Sequence, residues 1–276
     1  MFIKKNYLRQ TLGGEDMVDF QFDKNWSLQP IKGDTGKAYM GINDEAEKIF
    51  IKRNSSPFIA ALSLEGIAPK LIWTKRTGNG DVLTAQEWLD GYLLSPQDVG
   101  KRLDVIHIMQ HLHQSDSLKN MLYRVGGVER QAFDFLSAYA QDLPLELKRN
   151  QYLMRVFRYL EDHLPDAVTV QACHGDPIHH NWLLSEQGRL YLVDWDATML
   201  ADPAADLGTI LGRYVSYDDW PSWLTSYGLK EPGESIQRIY WYSGMDFLQR
   251  IKTCYLQQNF KQMNQEILLL KRLFIY

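Results

Sequence analysis

The stretch His174–Asn181 reads HGDPIHHN, and after a short intervening run the chain continues as YLVDWD over Tyr191–Asp196. Two aspartates and an asparagine in this order supply what transfer of a phosphoryl group to an oxygen requires. Asp176 offers a carboxylate to accept or orient an attacking hydroxyl. Asn181 and Asp194 offer oxygen ligands for the Mg²⁺ that bridges nucleotide phosphates. The letters HGD alone also suit a tight turn, because Asp and Asn form Asx-turns readily. The chain on either side weighs against that plainer reading.

Upstream, from Trp26 to about Trp88, short strand-like runs alternate with turns: WSLQPI, KAYMGI and EKIFIKR, then APKLIWTKR and DVLTAQEWL flanking TGNG. A helix-compatible segment, Pro57–Leu64, lies between them, with Pro57 suited to a first helical turn. These runs predict a five-stranded antiparallel sheet with one inserted helix. Beyond DGYLLSP, apolar residues recur at helical spacing in DVGKRLDVIHIMQHLHQS, VERQAFDFLSAYAQDL and KRNQYLMRVFRYLEDHL. The helical half is interrupted by the HGD segment and by a hairpin, NWLLSEQGRLYLVDW, turning at Gln187-Gly188. The expected fold is therefore α+β, with two lobes of protein-kinase-like layout. Residues 1–18 are expected to be a flexible extension, 19–89 an ATP-binding lobe, and 90–276 a helical lobe with the catalytic loop and acceptor site. In that layout the interval from Asp176 to Asn181 repeats the kinase pattern H-R-D-x-x-x-x-N, and Asp194 takes the place of the D-F-G aspartate.

The small lobe offers further candidates. IKGDTGKAYMGI places Gly33, Asp34, Thr35, Gly36 and Lys37 between two strands, where exposed amides can approach a phosphate. A glycine-containing hairpin has the same letters, and the spacing is not that of a Walker A loop. Lys52 alternates with Ile49 and Ile51 on the next strand, where kinases carry the lysine that meets the nucleotide phosphates. The helix carboxylate that usually pairs with such a lysine has one candidate, Glu65, at the end of the helix-like run; a solvated surface acid fits as well. Gln86, Glu87, Trp88 and Leu89 form the expected connector, whose backbone would meet the adenine edge. His174 is a candidate brace for the loop and His179 a candidate contact to substrate or phosphate. Asp202 reads as a helix cap and Asp206 as a brace. His107, His111 and His113 lack the H-E-x-x-H pattern and read as a polar helix face.

Composition narrows the function classes. A net charge of −4 from 30 basic and 34 acidic residues, without a long run of one sign, disfavours a nucleic-acid partner. No run approaches the length of a membrane span, so membrane insertion is not expected. Two isolated cysteines, Cys173 and Cys254, form no zinc or disulfide pattern and fit a reducing cytoplasm.

On the strength of HGDPIHHN and LVDWD, the chain resembles the aminoglycoside phosphotransferase and choline kinase superfamily from Trp26 to its end. GKAYMG, APKLIWTKR, AQEWL, HHNW and YLVDWD look like its bacterial YtmP/CcrZ branch. The resemblance implies ATP and Mg²⁺ as cofactors, with Asp176 as base, Asn181 and Asp194 as metal ligands, and Lys52 as phosphate clamp. It also implies a ribose-type hydroxyl acceptor and a role in cell-cycle control, with an FtsZ-like division-ring protein as partner and recruitment to the division site. The missing mid-helix Glu departs from the pattern and leaves open which carboxylate holds Lys52. Two other readings stand beside this one: a nucleotide-binding pseudokinase-like scaffold, and a choline or aminoglycoside phosphotransferase. An aminoglycoside, being cationic, would need a strongly acidic pocket, for which SYDDWPSWL offers Asp218 and Asp219 in a surface turn.

Overall fold

The structure is a computed structural model that describes residues 26–31, 38–78 and 80–275. The expected extension, 1–18, and the loop residues Gly33, Asp34, Thr35, Gly36 and Lys37 lie outside the described residues.

β1 (Trp26–Pro30), β2 (Ala38–Asn43) and β3 (Lys48–Arg53) form a meander, followed by α1 (Phe58–Leu64), β4 (Leu71–Arg76) and β5 (Val82–Glu87). They build one antiparallel five-stranded sheet of order β1-β2-β3-β5-β4, as the alternating pattern predicts. Period-two alternation turns Ile49 and Ile51 of β3 into a small cluster with Leu83 and Ala85, and puts Lys52 on the other face. Pro57 stands just before α1 as its cap. The helix buries Phe58, Ile59 and Leu62 in the core of the large lobe rather than in the sheet's own cluster.

The connector is shorter than expected, because β5 ends at Glu87 and a further strand, β6 (Gly91–Leu93), follows at once. Beyond it come α2 (Pro96–Val99), α3 (Leu103–Gln114), α4 (Asp116–Arg124), α5 (Ala132–Ala140), α6 (Leu145–Arg149) and α7 (Gln151–Asp162). The first of the expected helical runs is thus divided: α2 closes at Gly100, and α3 starts only after the extended Arg102. Side chains set several starts. Ser95 and Asp98 form a reciprocal capping box on α2, Ser115 accepts the Leu118 N–H of α4, and Asn150 accepts two amides of α7.

Then follow β7 (Gln171–Cys173), β8 (Trp182–Ser185), β9 (Leu190–Leu192) and β10 (Met199–Ala201). β8 and β9 are the expected hairpin, and β6 pairs with β8, tying the connector to the large lobe. β10 pairs with β7, so the HGD loop is closed at its base by a two-stranded sheet. Four helices end the chain: α8 (Ala204–Tyr214), α9 (Trp220–Tyr227), α10 (Gly233–Leu256) and α11 (Phe260–Leu273). α8 and α10 meet backbone to backbone, since a Cβ on Gly208 would stand 2.8 Å from the Ser243 nitrogen. Ser243 seals the contact by donating to the Gly208 carbonyl at 2.8 Å. The amphipathic α11 packs on the lobe through Leu270, and Phe274 beyond its end is buried as well. Among the described residues, no helix is long and apolar enough to cross a membrane.

Candidate active site

The loop between β7 and β8 is braced from below. Asp206, in the first turn of α8 and fully buried, accepts the His174 N–H at 2.7 Å and the Gly175 N–H at 2.8 Å. His113 Nε2 stands 3.1 Å from the same carboxylate and its Nδ1 meets the Tyr227 hydroxyl at 2.8 Å. Burial alone would raise the Asp206 pKa, but these hydrogen bonds and the nearby histidines hold it below the usual carboxylate value. The expected brace is therefore in place. His113, however, is no polar surface residue: it is buried beneath the loop. Cys173, His113 and Asp206 form a compact buried group whose polar atoms are engaged by these contacts, and burial pushes the Cys173 thiol up.

His174 is a brace too. Its Nε2 donates to the Val193 carbonyl at 3.0 Å, which leaves Nδ1 to accept the Asp176 N–H at 3.2 Å. Burial keeps the ring below its ordinary pKa, consistent with this neutral tautomer. Gly175 adopts φ +82°, and a Cβ there would stand 2.2 Å from the Ala197 carbonyl oxygen, so no side chain fits the turn. Trp182 and Trp195 pack below the loop, donating to the Pro177 and Leu192 carbonyls.

Asp176 emerges from this frame with its side chain one-third exposed. Asn181 Nδ2 donates to the Asp176 carbonyl at 2.8 Å and lies 3.3 Å from Oδ2. The amide nitrogen is thereby committed to Asp176, and Asn181 Oδ1 remains as an oxygen donor. The backbone of Asn181 also accepts the Val193 N–H at 2.9 Å, which brings it beside Asp194. Asp194 itself has φ 62°, a left-handed conformation uncommon outside glycine and costing about 1–3 kcal/mol.

Lys52 reaches across the cleft to Asp194 at 2.9 Å and to Asp196 at 2.7 Å. Burial would lower the lysine's pKa, but these two carboxylates outweigh it and raise it. Glu65 is not brought to Lys52. It caps the end of α1, where its carboxylate meets His111 Nε2 at 2.6 Å and the Ser115 hydroxyl at 3.0 Å. The reason is the packing of α1 on the large lobe, which turns its C-terminal end toward α3 and α4. Asp196, two residues beyond Asp194, is a site residue the sequence reading passed over, although YLVDWD displays it. Asn181, Asp194 and Asp196 form an all-oxygen donor set of the kind that suits Mg²⁺.

At the connector, Gln86 is buried with its amide on the Pro69 carbonyl at 2.8 Å. Glu87 exchanges contacts with the Lys70 backbone, and Trp88 Nε1 donates to Asp90 at 3.0 Å. Leu89 follows, half-buried, before β6. The side chains of Gln86, Glu87 and Trp88 are thus taken up locally.

His179 holds the far side of the loop. Its backbone N–H donates to the Tyr214 hydroxyl at 3.0 Å, and its Nδ1 lies 3.0 Å from the same oxygen. Burial, with smaller contributions from His180 and Arg213, lowers its pKa to about 4. Beside the loop opens a cavity of about 470 Å³, bordered by Arg130, Gly175, Asp196, Tyr242, Asp246 and Gln249. Its two carboxylates already have partners: Asp196 is paired with Lys52, and Asp246 with Arg213 and Arg250. Asp218 and Asp219 are exposed in a 3₁₀ turn between α8 and α9 and do not border it.

A sequence model described as the phosphotransferase enzyme family matches residues 51–233. Protein LicA of Haemophilus influenzae is 28% identical over 107 residues, 39% of this chain and 39% of that protein. The match thus spans about two fifths of the curated relative's length. Choline kinase LicA from Streptococcus pneumoniae shares the fold, with a TM-score of 0.64 at 17% identity over 90% of this chain and 94% of that one. The GDP complex of wild-type aminoglycoside 2'-phosphotransferase-IIIa does so with a TM-score of 0.65 at 14% identity, over 93% and 95%. Matched over well over half its length, the chain belongs to the phosphotransferase enzyme family.

Proposed function

We propose that the chain is an ATP- and Mg²⁺-dependent kinase that phosphorylates a hydroxyl of an uncharged polyol, a ribose-type sugar or nucleoside. The observation that carries the reading is Lys52 of the small lobe meeting Asp194 and Asp196 of the large lobe, beside Asp176 and Asn181. Residues 19–89 would then hold the nucleotide and 90–276 the acceptor. With ATP bound, Lys52 would exchange its carboxylate partners for phosphate oxygens, and the backbone of Glu87 to Leu89 would face the adenine. Mg²⁺, held by Asn181, Asp194 and Asp196, would neutralise charge on the phosphates. Asp176 would accept a hydrogen bond from the acceptor hydroxyl, aim its oxygen in line with the γ-phosphorus, and take its proton as the new P–O bond forms and the bond from the γ-phosphorus to the bridging oxygen breaks, ADP leaving with that electron pair.

The acceptor class is argued from the cavity. A cationic acceptor gains from free carboxylates, but Asp246 is already paired with Arg213 and Arg250, and Asp196 would be taken up by Mg²⁺ once Lys52 turns to the phosphates. An uncharged polyol needs only hydrogen-bonding groups, which Tyr242 and Gln249 offer. The choline or aminoglycoside reading draws its support from the names of the structural neighbours. The assignment to a division-linked kinase with an FtsZ-like partner draws its support from the sequence strings alone, and a cytoplasmic location from two free, buried cysteines.

Mg²⁺-dependent ADP release across ribose, deoxyribose, nucleoside, choline and aminoglycoside acceptors tests both points. Stimulation by a sugar or nucleoside is expected, with Asp176→Asn lowering turnover by about 10²–10⁴-fold. Stimulation by choline or an aminoglycoside alone would overturn the acceptor class; near-normal turnover in the variant would overturn the base.

A further inference from the structure

Asp176 has a partner that no feature of the local sequence announces. Arg250, near the C-terminal end of α10 and 74 residues away, donates a terminal guanidinium nitrogen to Asp176 Oδ1. Its Nε donates to Asp246 Oδ1 at 2.9 Å. Asp246 is held from the other side by Arg213, at 3.1 and 2.8 Å on Oδ2, and Arg213 continues to Glu266 of α11 at 2.7 Å. The result is a charge ladder from the catalytic loop to the last helix: Asp176, Arg250, Asp246, Arg213, Glu266. Burial alone would raise the Asp246 pKa, but the two arginines hold it down, so the middle rung stays ionised and keeps its grip on Arg250.

We infer that Arg250 is the positioning residue that aims the Asp176 carboxylate, with Asp246 as its anchor. The inference rests on Asp176 being the base. A third of the Asp176 side chain is exposed, and a carboxylate so placed would otherwise rotate among several χ1 and χ2 settings. Here both of its oxygens are engaged, Oδ1 by Arg250 and Oδ2 by Asn181. Transfer through a loose transition state asks such a group for orientation more than for basicity. The planar fork of arginine suits that task, because its bonds to two carboxylates fix one plane relative to the other. Asp246 also borders the acceptor cavity. One rigid helix therefore carries both the cavity wall and the group that aims the base.

A double-mutant cycle tests the assignment, with kcat and KM measured for wild type, Arg250→Gln, Asp176→Asn and the pair. Arg250→Gln is expected to lower kcat on the order of 10²-fold, the effect of misplacing a reacting group, while KM for ATP stays put. Arg250→Lys, which keeps the charge, is expected to recover part of the loss. In the Asp176→Asn background the glutamine change is expected to cost less than about twofold, because a residue acting through the base has nothing left to aim. Asp246→Asn serves as a second probe: it loosens the anchor without removing Arg250, and its loss of kcat should likewise vanish in the Asp176→Asn background. Equal losses in both backgrounds, or no loss of kcat in either Arg250 variant, would overturn the inference. An Asp176→Asn enzyme with normal turnover would remove the base itself, and Arg250's role with it.

Discussion

Replacing Asp206 by Asn tests the idea that one buried carboxylate holds the His174–Asn181 loop in shape. The carboxylate serves donors on both oxygens: Gly175 N–H on Oδ1, and His174 N–H with His113 Nε2 on Oδ2. An amide presents an oxygen on one side only. Kept toward His174 and His113, it turns its NH₂ against the Gly175 N–H, leaving a buried donor facing a donor at a cost of about 2 kcal/mol. The two remaining bonds lose their charge assistance, about 1 kcal/mol each, for a sum of about 4 kcal/mol. With a urea dependence of about 3 kcal/mol per M, the unfolding midpoint should fall by about 1.3 M. Tryptophan fluorescence can follow this transition, since Trp182 and Trp195 are buried beside the loop. Turnover should fall with it even well below the midpoint, because Gly175 adjoins Asp176. A midpoint shift under about 0.3 M would refute the reasoning, by showing that the loop does not depend on these bonds.

Gly175→Ala should also impair the loop, since φ +82° and a Cβ 2.2 Å from the Ala197 oxygen force the backbone to move. The left-handed conformation alone costs about 1–2 kcal/mol, and kcat should fall more than the melting temperature suggests; unchanged kcat would count against the turn's role. Acid sensitivity should come first from histidine. His174 and His179 sit below their ordinary value of 6.5, His179 at about 4, with burial the largest cause. The folded protein therefore binds fewer protons than the unfolded chain. Their stabilisation is complete above pH 6.5 and is lost as the pH falls, that of His179 through about 4, while Asp206 follows only below 3.8. Urea midpoints should drop between about pH 7 and about pH 5, less steeply in His179→Asn, and a flat profile would refute this.

The sheet and the hairpin were legible because their signals are local. Ile49, Ile51 and Lys52 alternate along one strand, and Gly188 marks the turn between β8 and β9. The helical run from Asp98 to Ser115 misled at one point, since hydrophobic spacing does not register the break between α2 and α3. The short β6 was hidden as well, because three residues carry too little pattern to separate a strand from a connector.

Asp176, Asn181 and Asp194 stood out as candidates by their spacing, for chemistry that needs several groups on one short loop would write them close together in the chain. Lys52 could be placed by its strand, and the brace Asp206 by its position at the start of α8. The sequence by itself thus determined the kind of fold and named the candidates for phosphate transfer on it. What tertiary structure decided was the pairing of charges. Glu65 went to His111 and Ser115, Lys52 to Asp194 and Asp196, and Arg250 to Asp176. A charge taken out of water pairs with whichever opposite charge the packing brings within reach, however far away in sequence. That reach was set by helix contacts such as Gly208 against Ser243, which no local pattern encodes.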